Sequence, residues 1–383
     1  MKRENNKICI FIYSMSGGGA ERVMSYLLPY LQAKKYNVVL VLMNTKIVYP
    51  SIENIPIHYL EKSEPMESGL IKFIKLPYLA WKYARFLKKE KITHSFSLLS
   101  RPCYINIMAR WFTRHPYKLM VSERNYPSLQ YGYNDMQSKI NRFLVKWLYP
   151  KADLIISNAK ASAQDLVTNF NVPSEKTGVI YNPIDLEKIN NITPNNTLFD
   201  SNYINLVSVG RLQIVKNHQL MIKAIAPFKK VRLYVFGEGE LREDLQTQIN
   251  TLGITERVFL MGFESNPFQY LKVADIFIFS SNHEGFPNVI MEAMACGLPI
   301  ITTNCKSGPD EIMELKETKS DDIMITDYGV LSPVGDVKSL QKGIAYCLEN
   351  PEYLVDCRNN VKKRIKDFER EPILELYTNQ ILS

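Results

Sequence analysis

One pattern restricts this chain more than any other: a short apolar run, a glycine turn, then a stretch of helical periodicity. It appears first as Lys7–Tyr13, the loop Ser14-Met15-Ser16-Gly17-Gly18-Gly19, and a helical stretch from Ala20 to Lys34. Val38–Met43, Leu119–Ser122 and Leu154–Ser157 continue it as apolar strands with helical stretches between them. The pattern breaks at Asn182-Pro183, where a polar run begins that contains Asn190, Asn191, Thr193, Pro194, Asn195, Asn196 and Thr197. It then restarts. Ile204–Val209 leads into Gly210-Arg211-Leu212 and a helix from about His218, and Leu233–Phe236 ends in Gly237-Glu238-Gly239. Val258–Met261, Ile276–Ser280, Ile300–Thr302 and Gly329–Leu331 extend the second series. Strand, glycine loop, helix, strand opens a doubly wound α/β domain. Two series in 383 residues fit two such domains. The expected division is 1–185 and 186–365. A C-terminal helix over 366–383 is expected to pack back on the first domain.

Composition narrows the class. With 46% hydrophobic and 22% charged residues, the chain is neither disordered nor of low complexity. Its six cysteines show no Cys-x-x-Cys pair and no zinc-ligand spacing, so neither a disulfide framework nor a zinc site is expected. No run approaches the about 18–20 apolar residues of a spanning helix, and Ile8–Tyr13 is too short for a signal peptide. A cytoplasmic protein is the expectation.

Charge is divided unevenly. Residues 1–192 hold 27 basic and 14 acidic side chains, net +13, whereas residues 193–383 hold 20 and 25, net −5. A basic half points to an anionic partner: membrane surface, phosphorylated substrate or nucleic acid. The excess is concentrated in residues 70–91, where Lys72, Lys75, Lys82, Arg85, Lys88, Lys89 and Lys91 alternate with Phe73, Ile74, Tyr78, Trp81, Tyr83 and Phe86. Two readings fit: an interfacial segment on anionic lipid, or an amphipathic core helix with a solvated basic face. A second basic-aromatic patch holds Lys139, Arg142, Lys146, Trp147, Tyr149 and Lys151. No nucleic-acid-binding motif is present, so nucleic acid is not an expected partner.

Three constellations carry chemistry. Gly17, Gly18 and Gly19 after the first strand can bring backbone N–H groups to a phosphate or sugar, or can simply form a tight turn. They are not a Gly-x-Gly-x-x-Gly, and Asn44 and Thr45 follow the second strand where a dinucleotide site needs an acid. Arg211 and Lys216 lie five apart across a strand-end turn and can converge on a diphosphate. The third and most specific constellation is Ser281-Asn282-His283-Glu284-Gly285-Phe286-Pro287-Asn288-Val289-Ile290-Met291-Glu292. Pro287 suits a first helical turn, which places Glu284 in the preceding loop and Glu292 on the helix. The amides of Gly285, Phe286 and Asn288 then face outward at the positive helix end. Glu284 can accept sugar hydroxyls and Glu292 ribose hydroxyls, or the two can be ordinary capping carboxylates. The chain contains no Asp-x-Asp, so no divalent metal bridging a diphosphate is expected. Arg211, Lys216 and helix dipoles would have to balance the leaving-group charge.

These residues carry a family likeness over nearly the whole chain. The glycine loop followed by Ala20-Glu21-Arg22, the Gly-Arg-Leu…Lys-Asn segment, Gly237-Glu238-Gly239, Met261-Gly262-Phe263 and the Glu284/Glu292 pair resemble the retaining glycosyltransferases of family 4. The resemblance implies the GT-B fold, two Rossmann-like domains facing across a cleft. Phe11–Arg22, Lys72–Tyr83, Arg101–Arg110 and Leu148–Lys160 look most like the N-acetylgalactosaminyltransferases that extend undecaprenyl-diphosphate-linked glycans in bacterial N-glycan assembly. By that likeness the donor is a UDP-sugar, used without a cofactor, and the acceptor a polyprenyl-diphosphate-linked glycan at the inner face of the cytoplasmic membrane. Lipopolysaccharide, O-antigen, capsule or soluble acceptors are the alternative.

The same likeness implies that Arg211 and Lys216 grip the diphosphate, that Glu284 with the following amides binds the donor sugar, and that Glu292 binds ribose. Gly262 and Phe263 would lie beside the base. Gly17–Gly19 would lie near the diphosphate and acceptor, and Glu238 joins the donor set. Many relatives carry a His after the strand that here reads Val121-Ser122-Glu123-Arg124-Asn125. This chain has none there, which leaves Glu123 and Arg124 either facing the acceptor or in a structural salt bridge. Lys72, Lys75, Trp81, Lys82 and Arg85 are the expected membrane contacts.

Overall fold

The computed structural model describes residues 6–62, 69–316 and 321–383. It divides into two compact units. One runs to Pro183 and takes back Arg370–Ser383, and the other is Ile184–Glu369.

The first unit holds a seven-stranded parallel sheet: β1 (Lys7–Ile12), β2 (Asn37–Leu42), β3 (Ile57–Tyr59), β4 (His94–Leu98), β5 (Lys118–Glu123), β6 (Leu154–Ser157) and β7 (Thr177–Val179). Its order is β3-β2-β1-β4-β5-β6-β7. Burial on both faces explains the unbroken apolar runs. Along β1, Cys9 and Phe11 join one core cluster, while Ile8, Ile10 and Ile12 join the other. The second cluster is completed by Ile373, Leu374, Tyr377 and Ile381 of the last helix, Arg370–Leu382. That helix therefore belongs to the core of the first unit, although it lies at the far end of the sequence.

The second unit repeats the plan with β8 (Ile204–Val209), β9 (Val231–Phe236), β10 (Val258–Gly262), β11 (Ile276–Phe279), β12 (Ile300–Thr303), β13 (Met324–Thr326) and β14 (Gly329–Ser332). The order is β10-β9-β8-β11-β12-β14-β13, parallel except for the antiparallel β13–β14 edge pair. Each sheet reverses its strand order beside its first strand, at β1/β4 and at β8/β11. Loops leaving the carboxyl ends of strands at such a reversal splay apart and form the usual ligand crevice of open α/β sheets.

The basic segment forms two helices, Gly69–Ile74 and Leu76–Lys89, with Pro77 in the first turn of the second. The second helix buries Leu76, Leu79, Ala80, Tyr83, Ala84 and Leu87. Phe73, Ile74, Tyr78 and Trp81 stay exposed. One face is thus core and another presents aromatic and aliphatic side chains to solvent. Among the described residues no helix is long and apolar enough to cross a membrane.

Candidate active site

The second unit's strand reversal gathers the most specific sequence motifs. Gly210-Arg211 leaves β8, and the loop carrying Glu284 leaves β11, its parallel neighbour. Lys216 closes a 3-10 turn, Ile214–Lys216, after which Asn217 takes a left-handed φ of 47° and starts the helix His218–Ile225. This turn aims the Lys216 side chain at the β11 loop. Its Nζ lies 2.5 Å from Glu284 Oε1 and 5.3 Å from the centre of the Phe279 ring.

Hydroxyl and amide groups stitch the two loops together. Ser280 Oγ donates to the carbonyls of Lys216 (3.1 Å) and Asn217 (2.8 Å), and Ser281 Oγ donates to Val215 O at 3.0 Å. Asn282 N–H donates to Val215 O at 2.8 Å, and Asn217 Nδ2 donates to Asn282 Oδ1 at 2.9 Å. Support from below comes from the strand β12 and the loop after it. Thr303 Oγ1 donates to Ser281 O at 2.6 Å, and Ser307 Oγ donates to Gly285 O at 2.5 Å. Gly308, at φ 105°, presses so close that a Cβ there would lie 2.4 Å from Pro287 Cδ. Sequence reasoning singled out none of Ser281, Asn282, Thr303, Ser307 or Gly308 for this role. They act through contacts 21 to 67 residues away that local patterns do not carry.

The helix Asn288–Ala295 begins one residue after Pro287, which stands at the N-cap with extended backbone instead of inside the first turn. Glu292 sits on the second turn and is buried. Phe286 is also buried, its ring 5.7 Å from that of Phe368. Only its backbone can serve a ligand. Arg211 is exposed and makes no side-chain hydrogen bond or ion pair among the described residues.

Beside this, the turns after β8, β9 and β10 pack backbone against backbone. Gly237 N–H donates to Gly262 O at 2.8 Å. A Cβ on Gly237 would lie 1.9 Å from Gly210 O, and one on Gly239 2.4 Å from Leu212 O, so only glycine fits at either position. Glu238 Oε1 is held by Arg242 Nη1 at 2.9 Å, and Phe263 projects outward, 80% exposed.

Burial tunes the neighbouring titratable groups. His218 is lowered to about 4 by desolvation and then by Lys216, so the buried ring is neutral beside the cation. His283 is lowered by its own burial, and Cys305 is pushed well up by burial and by Glu284.

In the first unit, Gly17 has φ 110° and Gly18 is the N-cap of helix Gly19–Ala33 at the β1/β4 reversal. Glu21 on that helix is buried, and a Cβ on Gly18 would meet its Oε2 at 2.3 Å. Glu123 and Arg124, at the end of β5, are both buried, and their partners are internal. Glu123 Oε1 accepts from the amides of Arg124 (2.9 Å) and Asn125 (3.1 Å), and its Oε2 accepts from Tyr149 OH at 3.2 Å. Burial raises it to about 7 against those bonds. Arg124 Nη1 donates to Tyr377 OH at 2.9 Å and Nη2 to Asn182 Oδ1, tying the last helix to the sheet.

The five expected membrane residues divide. Lys75 pairs with Glu61 at 3.2 Å, Lys82 donates to Leu60 O, and Arg85 stacks over exposed Trp81 at 4.9 Å. Lys72 is half-buried.

Residues 17–188 match the family described as Glycosyltransferase Family 4, and residues 190–364 match Glycosyl transferases group 1. A Campylobacter jejuni protein, the N-acetylgalactosamine-N,N'-diacetylbacillosaminyl-diphospho-undecaprenol 4-alpha-N-acetylgalactosaminyltransferase, is 40% identical over 96% of this chain and 97% of its own length. A second C. jejuni alpha-1,4-N-acetyl-D-galactosaminyltransferase is 25% identical over 96% of each chain. Anabaena HepE, crystallised with UDP, superposes with a TM-score of 0.79 at 20% identity, covering 98% of this chain and 99% of its own. Sucrose-phosphate synthase from Thermosynechococcus elongatus gives 0.80 at 17% identity, covering 98% of each. Two consecutive family matches, an end-to-end relative and a shared two-Rossmann architecture agree: this chain is a GT-B glycosyltransferase and belongs to family 4.

Proposed function

We propose that the chain transfers N-acetylgalactosamine, with retention, from UDP-N-acetylgalactosamine to an undecaprenyl-diphosphate-linked oligosaccharide at the cytoplasmic face of the membrane. The observation that carries this is the 40% identity, over almost the full length of both chains, to a relative named for that transfer.

In this reading the domain over 186–365 holds the nucleotide sugar, and the domain over 1–185 with the terminal helix meets acceptor and membrane. Arg211 and Lys216 grip the diphosphate. Lys216 offers a compact charge already positioned by two loops, and Arg211 an open fork. Glu284, which the free enzyme pairs with Lys216, receives the donor sugar's hydroxyls once the diphosphate takes over the lysine. The Gly285 N–H has no acceptor among the described residues and stands ready for the same ligand. Glu292 takes the ribose. Phe263 and Gly262, at the carboxyl end of β10, flank the base, and Glu238 is steadied by Arg242. Positive charge fixed before the reaction stabilises the leaving diphosphate as the glycosidic bond breaks. The departing phosphate then assists attack from the same face, which needs no protein nucleophile. The basic first domain, with its exposed aromatics, supplies the anionic membrane contact.

A panel of UDP-sugars offered with one lipid-linked acceptor, with products counted by mass spectrometry, tests the assignment. Transfer from UDP-N-acetylgalactosamine is expected. Transfer only from a different UDP-sugar, or only to soluble acceptors, overturns it.

A further inference from the structure

A cavity of about 550 Å³ lies wholly within the first unit. That volume falls in the range of about 300–1,000 Å³ typical of small-molecule sites. Its walls are mostly apolar. Met136, Ile140 and Leu144 form one stripe of the helix Met136–Leu148, facing Phe73 and Leu76, with Tyr104 and Tyr131 also lining the space. Two cations, Lys72 and Arg101, line the same cavity, and no acid does among the described residues. Glu61 is shared by Lys75 (3.2 Å) and Arg101 (3.1 Å), so two cations pair with one carboxylate beside the cavity.

The cavity opens among exposed apolar side chains. Phe73 and Met136 line it and are exposed, and Phe143 and Trp147 lie on the same helix as Met136. Trp147 packs against exposed Trp111 with tilted rings whose centres are 5.2 Å apart. Such a patch on a soluble fold marks a surface that meets something apolar.

We infer that this cavity binds the isoprenoid chain of the acceptor at the end that carries the diphosphate. This assignment takes the lipid diphosphate from the functional reading above and its placement from the cavity. In a prenyl diphosphate the diphosphate is bonded directly to the first isoprene unit. A chain end seated against Phe73, Ile140 and Leu144 therefore brings its anion beside Lys72 and Arg101. A phospholipid acyl chain is separated from its phosphate by an ester and the glycerol, so it cannot fill the same wall and reach the same cations together. The site would draw the chain end out of the bilayer and hold the attached glycan at a set distance from the membrane.

The test is equilibrium binding of farnesyl diphosphate to the full chain, followed by intrinsic tryptophan fluorescence or calorimetry. Dodecyl phosphate and inorganic diphosphate are the comparison probes. Farnesyl diphosphate should bind at least tenfold more tightly than either. Ile140→Trp, which fills the cavity, and Lys72→Glu, at its half-buried wall, should each weaken it at least tenfold. UDP affinity and melting temperature should not change. Equal binding of dodecyl phosphate, or unaltered farnesyl diphosphate affinity in both variants, overturns the inference. Should Ile140→Trp fail to fold, Lys72→Glu decides alone. Strong farnesyl diphosphate binding by an enzyme that transfers no sugar to lipid-linked acceptors would sink the functional reading and leave the cavity assignment standing.

Discussion

At the scale of single residues, the ion pair of Lys216 and Glu284 is the element from which donor chemistry can be tested most directly. Its side chains are 22% and 13% exposed, so solvent still screens the pair and either partner's loss should cost only about 1 kcal/mol of stability. Activity should respond far more. Lys216→Ala or Glu284→Ala should lower kcat/KM by roughly a hundredfold or more, about 3 kcal/mol, because a preorganised charge is lost from the transition state. The double variant should lose much less than the product of the two, since both act on one ligand. Steady-state kinetics on the three variants measures this, and near-wild-type turnover by either single variant removes the site assignment. Glu123 offers a different kind of residue-scale prediction. Burial raises its carboxyl to about 7, above the ordinary value of 4.5, so the folded state favours the protonated form. The stability it contributes is present below pH 4.5 and is lost as pH rises to about 7. Glu123→Gln keeps an acceptor for the two amides and cannot ionise. It should be more stable than wild type at pH 8 by roughly 2–3 kcal/mol, with the difference closing by pH 4.5. Chemical denaturation at the two pH values decides, and an equal gain at both would show that ionisation is not the cause.

At the scale of elements, the strand-end turns of the second unit set the geometry of the site through backbone contact. Gly237 and Gly253 both have positive φ, 152° and 64°, but only Gly237 is enclosed. An added Cβ would meet Gly210 O at 1.9 Å in the first case and nothing within 4 Å in the second. Gly253→Ala should therefore cost about 1 kcal/mol, the backbone strain alone. Gly237→Ala adds overpacking for a total of roughly 3 kcal/mol or more. It should also weaken UDP binding, because the Gly210 turn must shift. Denaturation midpoints and UDP titration of the two variants check the contrast. The same turns show what a sequence can reveal. β1 and β8 were legible because each is an apolar run leading into a glycine-containing loop. β4 was not, although it lies beside β1 in the sheet. Its Ser95 and Ser97 are fully buried, and Asn106 of the following helix satisfies them, accepting from Ser95 Oγ at 2.9 Å and donating to Ser97 Oγ at 3.0 Å. A strand whose polar groups find tertiary partners looks like a loop until those partners are in place. The three-residue edge strands β3, β7 and β13 are too short for any periodicity. At the site, the Glu284 and Glu292 spacing was legible, whereas the Lys216–Glu284 contact spans 68 residues and depends on the strand order.

At the scale of the whole molecule, net charge and exposed apolar surface concentrate in the same part of the chain. Residues 1–192 carry +13 and residues 193–383 carry −5. All three tryptophans, Trp81, Trp111 and Trp147, are exposed and lie in the basic part. Arg85 stacks on Trp81 and Lys151 sits 4.9 Å over Trp147, so cation and ring are presented together. Two forces of different range should then hold the protein on a membrane. The cations act across the Debye length, about 10 Å at 0.1 M salt, and the rings act only on contact. Flotation with phosphatidylglycerol vesicles at 0.1 M salt should recover the protein, while pure phosphatidylcholine should recover little. Replacing Lys72 and Arg85 together by Ala should weaken the anionic binding about thirtyfold, at about 1 kcal/mol per cation near the surface. Raising the salt to 0.5 M should reproduce most of that loss in the wild type. Replacing Trp81 and Trp147 by Ala should instead lower binding by a factor that salt does not change, because burial of a ring is not screened. Equal binding to neutral and anionic vesicles, or a salt response that disappears only in the tryptophan variant, would mean that the basic part does not face lipid. Its charge would then have to be explained by the diphosphate of the acceptor alone.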